Sequence, residues 1–143
     1  VEITDVRVKV MQEDNERLLA FCSITLADEF VVRDIKIING NNGLFVSMPS
    51  RKRIDHCPYC SHKNHLRARF CNDCGRRLDP NRAEHQLTRD GQIKLYADIA
   101  HPITKECRNI LRQVILDAYD EEKELMKQPN YVCRYDSIEP SPP

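Results

Sequence analysis

No stretch of this 143-residue chain approaches the roughly 20 consecutive apolar residues that a membrane-crossing helix needs, which excludes a helical span. Net charge is absent too. The 22 lysines and arginines balance 22 aspartates and glutamates, so the chain as a whole is no polycation. The opening residues lack the pattern of a signal peptide, and seven cysteines, an odd number, cannot close a complete disulfide framework. Together these absences imply a reducing cytoplasm, where paired cysteines serve as metal ligands more often than as disulfides. An acid–base pair is also missing. His101 precedes a proline and has no evident Asp–Ser or Cys partner, so no enzyme is expected. At this length the chain is one medium domain, or a small one carrying an insert.

What the chain does contain is the run CPYCSHKNHLRARFCNDCGRRL. Cys57 and Cys60 form one C-x2-C pair, Cys71 and Cys74 a second, and ten residues lie between them. Each pair can wrap a knuckle around a metal, and the short connection lets both reach the same ion. Four cysteines make a closed tetrahedral site without the open position of a catalytic zinc, so one structural Zn2+ is expected. Gly75 follows the last cysteine, but Ser61 stands where the first knuckle commonly has glycine, a position that favours a left-handed turn. His56, His62 and His65 are read as solvated loop residues or phosphate contacts. Two redox dithiols are the alternative, but the βαβ context of a thioredoxin-like site is missing. Cys22 and Cys107 read as small core residues, and Cys133 as a tail thiol with no evident role.

Around this run the periodicity is that of a small α+β protein. Val6, Val8 and Val10 alternate with polar residues, and residues 18–26 and 30–38 are rich in β-branched side chains. The NGNNG segment at 39–43 predicts a turn, and LFVSM a short strand ended by Pro49. From about Arg51 to Gly91 apolar residues are scarce, and without a metal that segment buries too little to fold. Alternation resumes over 92–100, with Ile93, Leu95, Ala97 and Ile99 on one face. A helix is predicted over about 105–127, with Thr104 as N-cap and Glu106 in its first turn. Cys107, Leu111, Val114, Ile115 and Ala118 form its apolar stripe. The expected organisation is a small antiparallel β-sheet with a C-terminal helix over 1–52 plus 92–128. A zinc ribbon and linker at 53–91 interrupt it, and 129–143 form an extended tail.

Outside the cysteine run, EITDVRV, SITLADEFVVRDIKIINGNNGLFVSMPSRK and DIAHPIT resemble the stage V sporulation protein G family, the bacterial septation regulators. The resemblance covers most of residues 2–52 and about 96–120. It implies an antiparallel sheet with a C-terminal helix, a homodimer, and a non-enzymatic role in cell division, sporulation and gene regulation. Binding to DNA, and in some members RNA, is part of that implication, as is a bacterial cytoplasmic location. The family's basic residues after MPS match Arg51 and Lys52, whereas the basic residue that commonly precedes DIAHP is Ala97 here. Lys105, Arg108 and Arg112 fall where the family helix presents polar and basic side chains. The ribbon occupies the place of a short hairpin, where insertions disturb a core least.

Charge distribution agrees with a nucleic-acid partner. Net charge is −3 over residues 1–50, +5 over 51–91, +2 over 92–116 and −4 over 117–143. Four thiolates and a zinc ion reduce the middle segment to about +3. Arg51, Lys52 and Arg53, the helix residues Lys105, Arg108 and Arg112, and Lys63, Arg67, Arg69, Arg76 and Arg77 in the ribbon are the candidate phosphate contacts. The alternative is a protein-interaction adaptor in septum formation. Neither reading involves a membrane or a small-molecule substrate.

Overall fold

The alternating valines and β-branched runs form a four-stranded antiparallel meander, in the order β1 (Ile3–Val10), β2 (Leu18–Leu26), β3 (Phe30–Gly40) and β4 (Gly43–Ser47). The computed structural model describes residues 2–12, 17–82 and 94–136. The NGNNG segment turns as expected, pairing Gly40 with Gly43, which takes a φ of 112° that side-chain-bearing residues rarely adopt. A Cβ on Gly40 would lie 2.9 Å from the Phe45 ring.

One feature of β3 escapes its apolar pattern. Asp34 has a φ of 61°, and the β2–β3 register shifts there, between the pairs Cys22–Ile35 and Ile24–Val32. The extra residue of this bulge resets the alternation, so that Ile35 and Ile37 face the core after Val32. Aspartate is among the few residues that tolerate the left-handed conformation at modest cost.

The helix α1 (Lys105–Leu125) begins where its cap is. Thr104 Oγ1 accepts the Cys107 N–H at 3.1 Å, and Glu106 lies in the first turn. It ends two residues before 127, because the N–H groups of Lys127 and Gln128 reach back only three residues. Leu111, Ile115 and Tyr119 are buried against Val8, Ala20, Cys22, Ile24, Ile35 and Ile37. Cys107 and Ala118 pack at the edge of that core. Tyr119 is the buried helix residue that the expected stripe omits. Burial pushes the Cys22 thiol up to about 12, consistent with a packing role.

The segment after α1 does more than extend. Tyr131 donates from its hydroxyl to the Glu122 carboxylate at 2.8 Å. The Cys133 thiol donates to the Val8 carbonyl at 3.2 Å, and the Arg134 carbonyl accepts from Arg7. Lys9 pairs with Asp136 at 3.0 Å, and Arg33 lies 5.2 Å from the centroid of the buried Tyr135 ring. Residues 131–136 thus lie along β1 and cover an edge strand.

Two compact units result, Val1–Pro49 with Ala100–Pro143, and Ser50–Ile99. In the second, β5 (Ser50–Lys52), β6 (Ile54–His56), β7 (Lys63–His65) and β8 (Tyr96–Asp98) form two pairs, β5 with β8 and β6 with β7. The strand expected over 92–100 is therefore short among the described residues. Ile93 lies outside them, and Ile99 is exposed beyond the strand end. Because β5 and β8 pair with each other, both belong to the unit that carries the cysteines. No helix among the described residues is long and apolar enough to cross a membrane.

Candidate metal centre

The two C-x2-C pairs fold into matching knuckles. In the first, the Cys57 N–H donates to the His62 carbonyl at 2.8 Å, and the Ser61 N–H to the Cys57 carbonyl at 2.9 Å. In the second, Cys71 N–H donates to Arg76 at 2.9 Å and Gly75 N–H to Cys71 at 3.1 Å. The N–H groups of Tyr59 and Asp73 each point at the first sulfur of their knuckle, at 3.4 Å. Such N–H···S contacts favour the thiolate form that a metal requires.

Equivalent backbone positions carry different residues, Gly75 with a φ of 77° and Ser61 with a φ of 66°. Serine therefore occupies a left-handed position in the first knuckle, as the motif comparison anticipates. Relief of this strain by Ser61→Gly is expected to stabilise the metal-loaded ribbon by about 0.5–1 kcal/mol. Competition of the protein against a calibrated chelator measures it, and unchanged or weaker retention of metal would contradict the assignment.

All four sulfurs lie within 4.8 Å of one another. Cys57 and Cys74 are separated by 3.8 Å, and Cys60 and Cys71 by 3.5 Å. A tetrahedral ion with metal–sulfur bonds of about 2.3 Å sets its ligands about 3.8 Å apart, so the cluster fits one. Convergence of both pairs on a single point suits a shared ion, whereas two independent dithiols have no need of it. Burial alone raises the Cys71 thiol. Hydrogen bonds from Asn64 and from the N–H groups of Cys74 and Asp73, with help from Cys60, outweigh it and bring Cys71 down to about 5. Cys57 is raised by burial and lowered more by the N–H groups of Cys60 and Tyr59 and by neighbouring thiols. At Cys60 the His62 N–H favours the thiolate, but burial and the three other cysteines push the thiol up to about 12. Four sulfurs this close share negative charge poorly without a cation.

Several residues that hold the cluster carry no motif signal. Asn64, only 3% exposed, donates to the His62 carbonyl and accepts the Asn72 N–H, tying one knuckle to the other. Arg82 donates to Asp55 at 2.7 Å and to the carbonyls of His65, Leu66 and Asp79. Cys57, Cys71 and Leu78, with Ala68 against them, are the small buried cluster between the knuckles. The complementary spacing of Asn64 with Asn72, or of Asp55 with Arg82, leaves no trace in a linear pattern. His56 and His62 are exposed, and half-buried His65 accepts the Arg67 N–H on its Nδ1 at 2.9 Å.

The candidate basic residues divide between the units. Arg51, Lys52 and Arg53 run along and just beyond β5, and Arg51 sits opposite Ala97. Lys63, Arg67, Arg69, Arg76 and Arg77 are exposed on the ribbon. Lys105, Arg108 and Arg112 are exposed on α1, with Arg112 reaching the Leu44 carbonyl at 3.4 Å. The charge separates sharply. The Ser50–Ile99 unit has eleven basic and six acidic residues, a net +5, and the remainder eleven and sixteen, a net −5. His101 donates from Nδ1 to the Pro102 carbonyl at 3.1 Å.

Comparison with known proteins agrees with this architecture. The sequence profile of the SpoVG family matches residues 1–121. A protein named "Putative septation protein SpoVG" from Caldanaerobacter subterraneus subsp. tengcongensis is 36% identical over 124 residues, covering 87% of this chain and 93% of the relative. Proteins of the same name from Bdellovibrio bacteriovorus and Staphylococcus carnosus are 35% and 32% identical. These cover 88% and 91% of this chain, and 80% and 85% of the relatives. This chain belongs to the SpoVG family, with a four-cysteine ribbon carried between the paired strands β5 and β8.

Proposed function

We propose that this protein is a non-enzymatic septation regulator that acts by binding nucleic acid, DNA or RNA, and that Cys57, Cys60, Cys71 and Cys74 hold one structural Zn2+. The septation role follows from the name its relatives carry. The observation that supports nucleic-acid binding is the concentration of +5 in the Ser50–Ile99 unit of a chain whose total charge is zero. Zinc supplies a rigid tetrahedral anchor there and, with all four positions filled by thiolates, no site for water. Its net contribution with four thiolates leaves the unit at about +3. Lys63, Arg67, Arg69, Arg76 and Arg77 then face solvent from a scaffold too small to fold otherwise. Each phosphate they neutralise releases counterions and steepens the salt dependence of affinity by about 0.9 in log–log slope.

Fluorescence anisotropy with mixed-sequence duplex DNA and single-stranded RNA over a salt series tests this reading. The intact protein is compared with one whose residues 54–91 are replaced by a short turn. Salt-steep binding that weakens and flattens without the ribbon is the expected result. No binding by either form would replace it with a protein-docking adaptor.

Homodimerisation is part of the same proposal. A groove of about 650 Å³ is lined by Ile24, Leu26, Val32 and Met48 together with Pro102, Cys107 and Leu111. Its rim carries Phe30, Ile103 and Ile110, all large and exposed, a surface suited to a second copy. Sedimentation equilibrium at micromolar concentration is expected to give twice the 16.7 kDa chain mass. A monomer mass would remove the dimer from the proposal.

A further inference from the structure

The ribbon exposes two large aromatic side chains that its own fold does not use. Tyr59 is 60% exposed and Phe70 is 59% exposed. Neither belongs to the buried cluster of Cys57, Cys71 and Leu78. The pseudo-repeat of the knuckles shows that the metal fold does not require them. Tyr59 stands two residues after Cys57, where the second knuckle has Asp73, and Phe70 precedes Cys71 as His56 precedes Cys57. At Tyr59 and its counterpart Asp73 the contact to the cluster is made by the backbone N–H, which points at Cys57 Sγ and Cys71 Sγ respectively.

Both rings are set among cations. The Arg76 guanidinium lies 4.6 Å from the Tyr59 ring centroid, and can cover only one of its two faces. Phe70 forms an antiparallel bridge with Arg77, so the two side chains emerge side by side. Among the described residues, none of Arg69, Arg76 and Arg77 takes part in an ion pair. The acidic groups nearby in the chain are few. Asp55 is engaged by Arg82, and Asp79 accepts the Asn81 N–H, while Asp73 is exposed and, among the described residues, in no ion pair with a ribbon cation. Large open rings framed by unpaired guanidinium groups complement a chain that offers both flat bases and phosphates. A duplex hides its base faces in the stack, whereas a single strand presents them.

We infer that the ribbon binds single-stranded nucleic acid by stacking unpaired bases on Tyr59 and Phe70, while Arg76 and Arg77 hold the adjoining phosphates. Arg76 backs the Tyr59 ring, so a base on the open face completes a guanidinium–ring–base stack, and a neighbouring base lies on Phe70. Stacking is sequence-tolerant because every base has a flat face. This inference rests on the nucleic-acid reading above and narrows it from phosphates in general to unpaired bases.

The test uses the zinc-loaded full-length protein and three labelled 12-mers of equal length, oligo(dT), oligo(U) and an abasic strand with the same phosphates but no bases. The expected result is oligo(dT) or oligo(U) binding well above the abasic strand. Tyr59→Ala is expected to weaken base-containing strands by about 5- to 150-fold and to leave the abasic strand unchanged. Tyr59→Phe, which keeps the ring, restores binding, and Phe70→Ala repeats the loss. Bound zinc measured in each variant excludes ribbon unfolding as the cause. Equal, salt-sensitive affinity for all three strands, insensitive to Tyr59→Ala, would overturn stacking and leave phosphate binding standing. No binding to any of the three strands, nor to duplex DNA, would overturn both. A preference for oligo(U) over oligo(dT) supports the inference and identifies RNA as the strand. The reverse supports it with DNA.

Discussion

Replacing Cys71 by serine is expected to abolish zinc binding and unfold the Ser50–Ile99 unit, while the sheet and helix of the other unit stay folded. The reason is the disparity between the two cores. The sheet–helix unit buries a connected set of nine residues, from Val8 to Tyr119. The ribbon's buried cluster is Cys57, Cys71 and Leu78, with Leu66 buried apart from it, and both cysteines belong to the four converging thiols. Serine at 71 removes one of the four converging sulfurs, and with it the acceptor of the Asp73 N–H. Metal binding contributes on the order of 10–16 kcal/mol to folding of small zinc modules, more than so few buried side chains supply. Strong chelation should therefore reproduce the mutant. Amide exchange resolves the two units. Protection should vanish at β6 and β7 and persist through β2, β3 and α1. Simultaneous loss of protection in both units would show that they fold as one.

The second large effect lies in the other unit. Ile115 is completely buried on the inner face of α1, packed with Ile35, Ile37 and Cys22 in the core. Ile115→Ala removes three carbons from a site with no route for water to refill, so the transfer and cavity contributions add. A loss of about 3 kcal/mol is expected from chemical denaturation followed at the helix signal. Val132→Ala, at a side chain that is 79% exposed, serves as the control and is expected to change stability by less than about 0.5 kcal/mol. Losses of similar size in both variants would mean that α1 does not form the lid of the sheet. The two predictions are also separable. Because the mutated sites lie in different units, Ile115→Ala should leave metal retention unchanged.

Tail residues add a smaller contribution of the same kind. Burial, followed by hydrogen bonding and the charge of Glu122, pushes the Tyr131 hydroxyl up to about 12. The hydroxyl is thus a donor to Glu122 across the physiological range. The neighbouring Cys133 thiol is likewise raised, by burial first, and donates to the backbone of β1. A sequence stretch without period thus gains its order from Glu122, nine residues back, and from β1 residues more than a hundred residues away.

Much of this was legible in the sequence, and the reasons are local. C-x2-C spacing specifies a knuckle because the chain must turn within four residues to bring two sulfurs to one point, so Cys57, Cys60, Cys71 and Cys74 could be named without coordinates. Thr104 is a cap because its side chain reaches an N–H three residues along, and the i, i+4, i+7 stripe of α1 is a property of one helix. The strain at Ser61 follows from a left-handed turn that the knuckle imposes on whatever residue stands there. The Asp34 bulge is different. Reading FVVRDIKII as a plain strand misses it, because the choice between continued alternation and a reset depends on which face β2 and α1 bury. Tyr119 joined the core for the same reason, its ring being long enough to reach a surface that the narrower stripe ignores.

What tertiary structure alone decided is every contact between segments distant along the chain. Arg82 closing on Asp55 and on two carbonyls of the ribbon, Asn64 linking the knuckles, and residues 131–136 lying along β1 all depend on positions that no spacing rule encodes. The exposure of Tyr59 and Phe70 belongs here too. Nothing in the linear pattern sets them apart. Only the folded ribbon, whose interior is already filled by Cys57, Leu66, Cys71 and Leu78, leaves the two rings facing water. The family, the converging cysteines and the helix were readable from the chain alone, because each rests on short-range patterns. The fold determined which side chains remained free to meet a partner, because burial is a property of the whole packed chain.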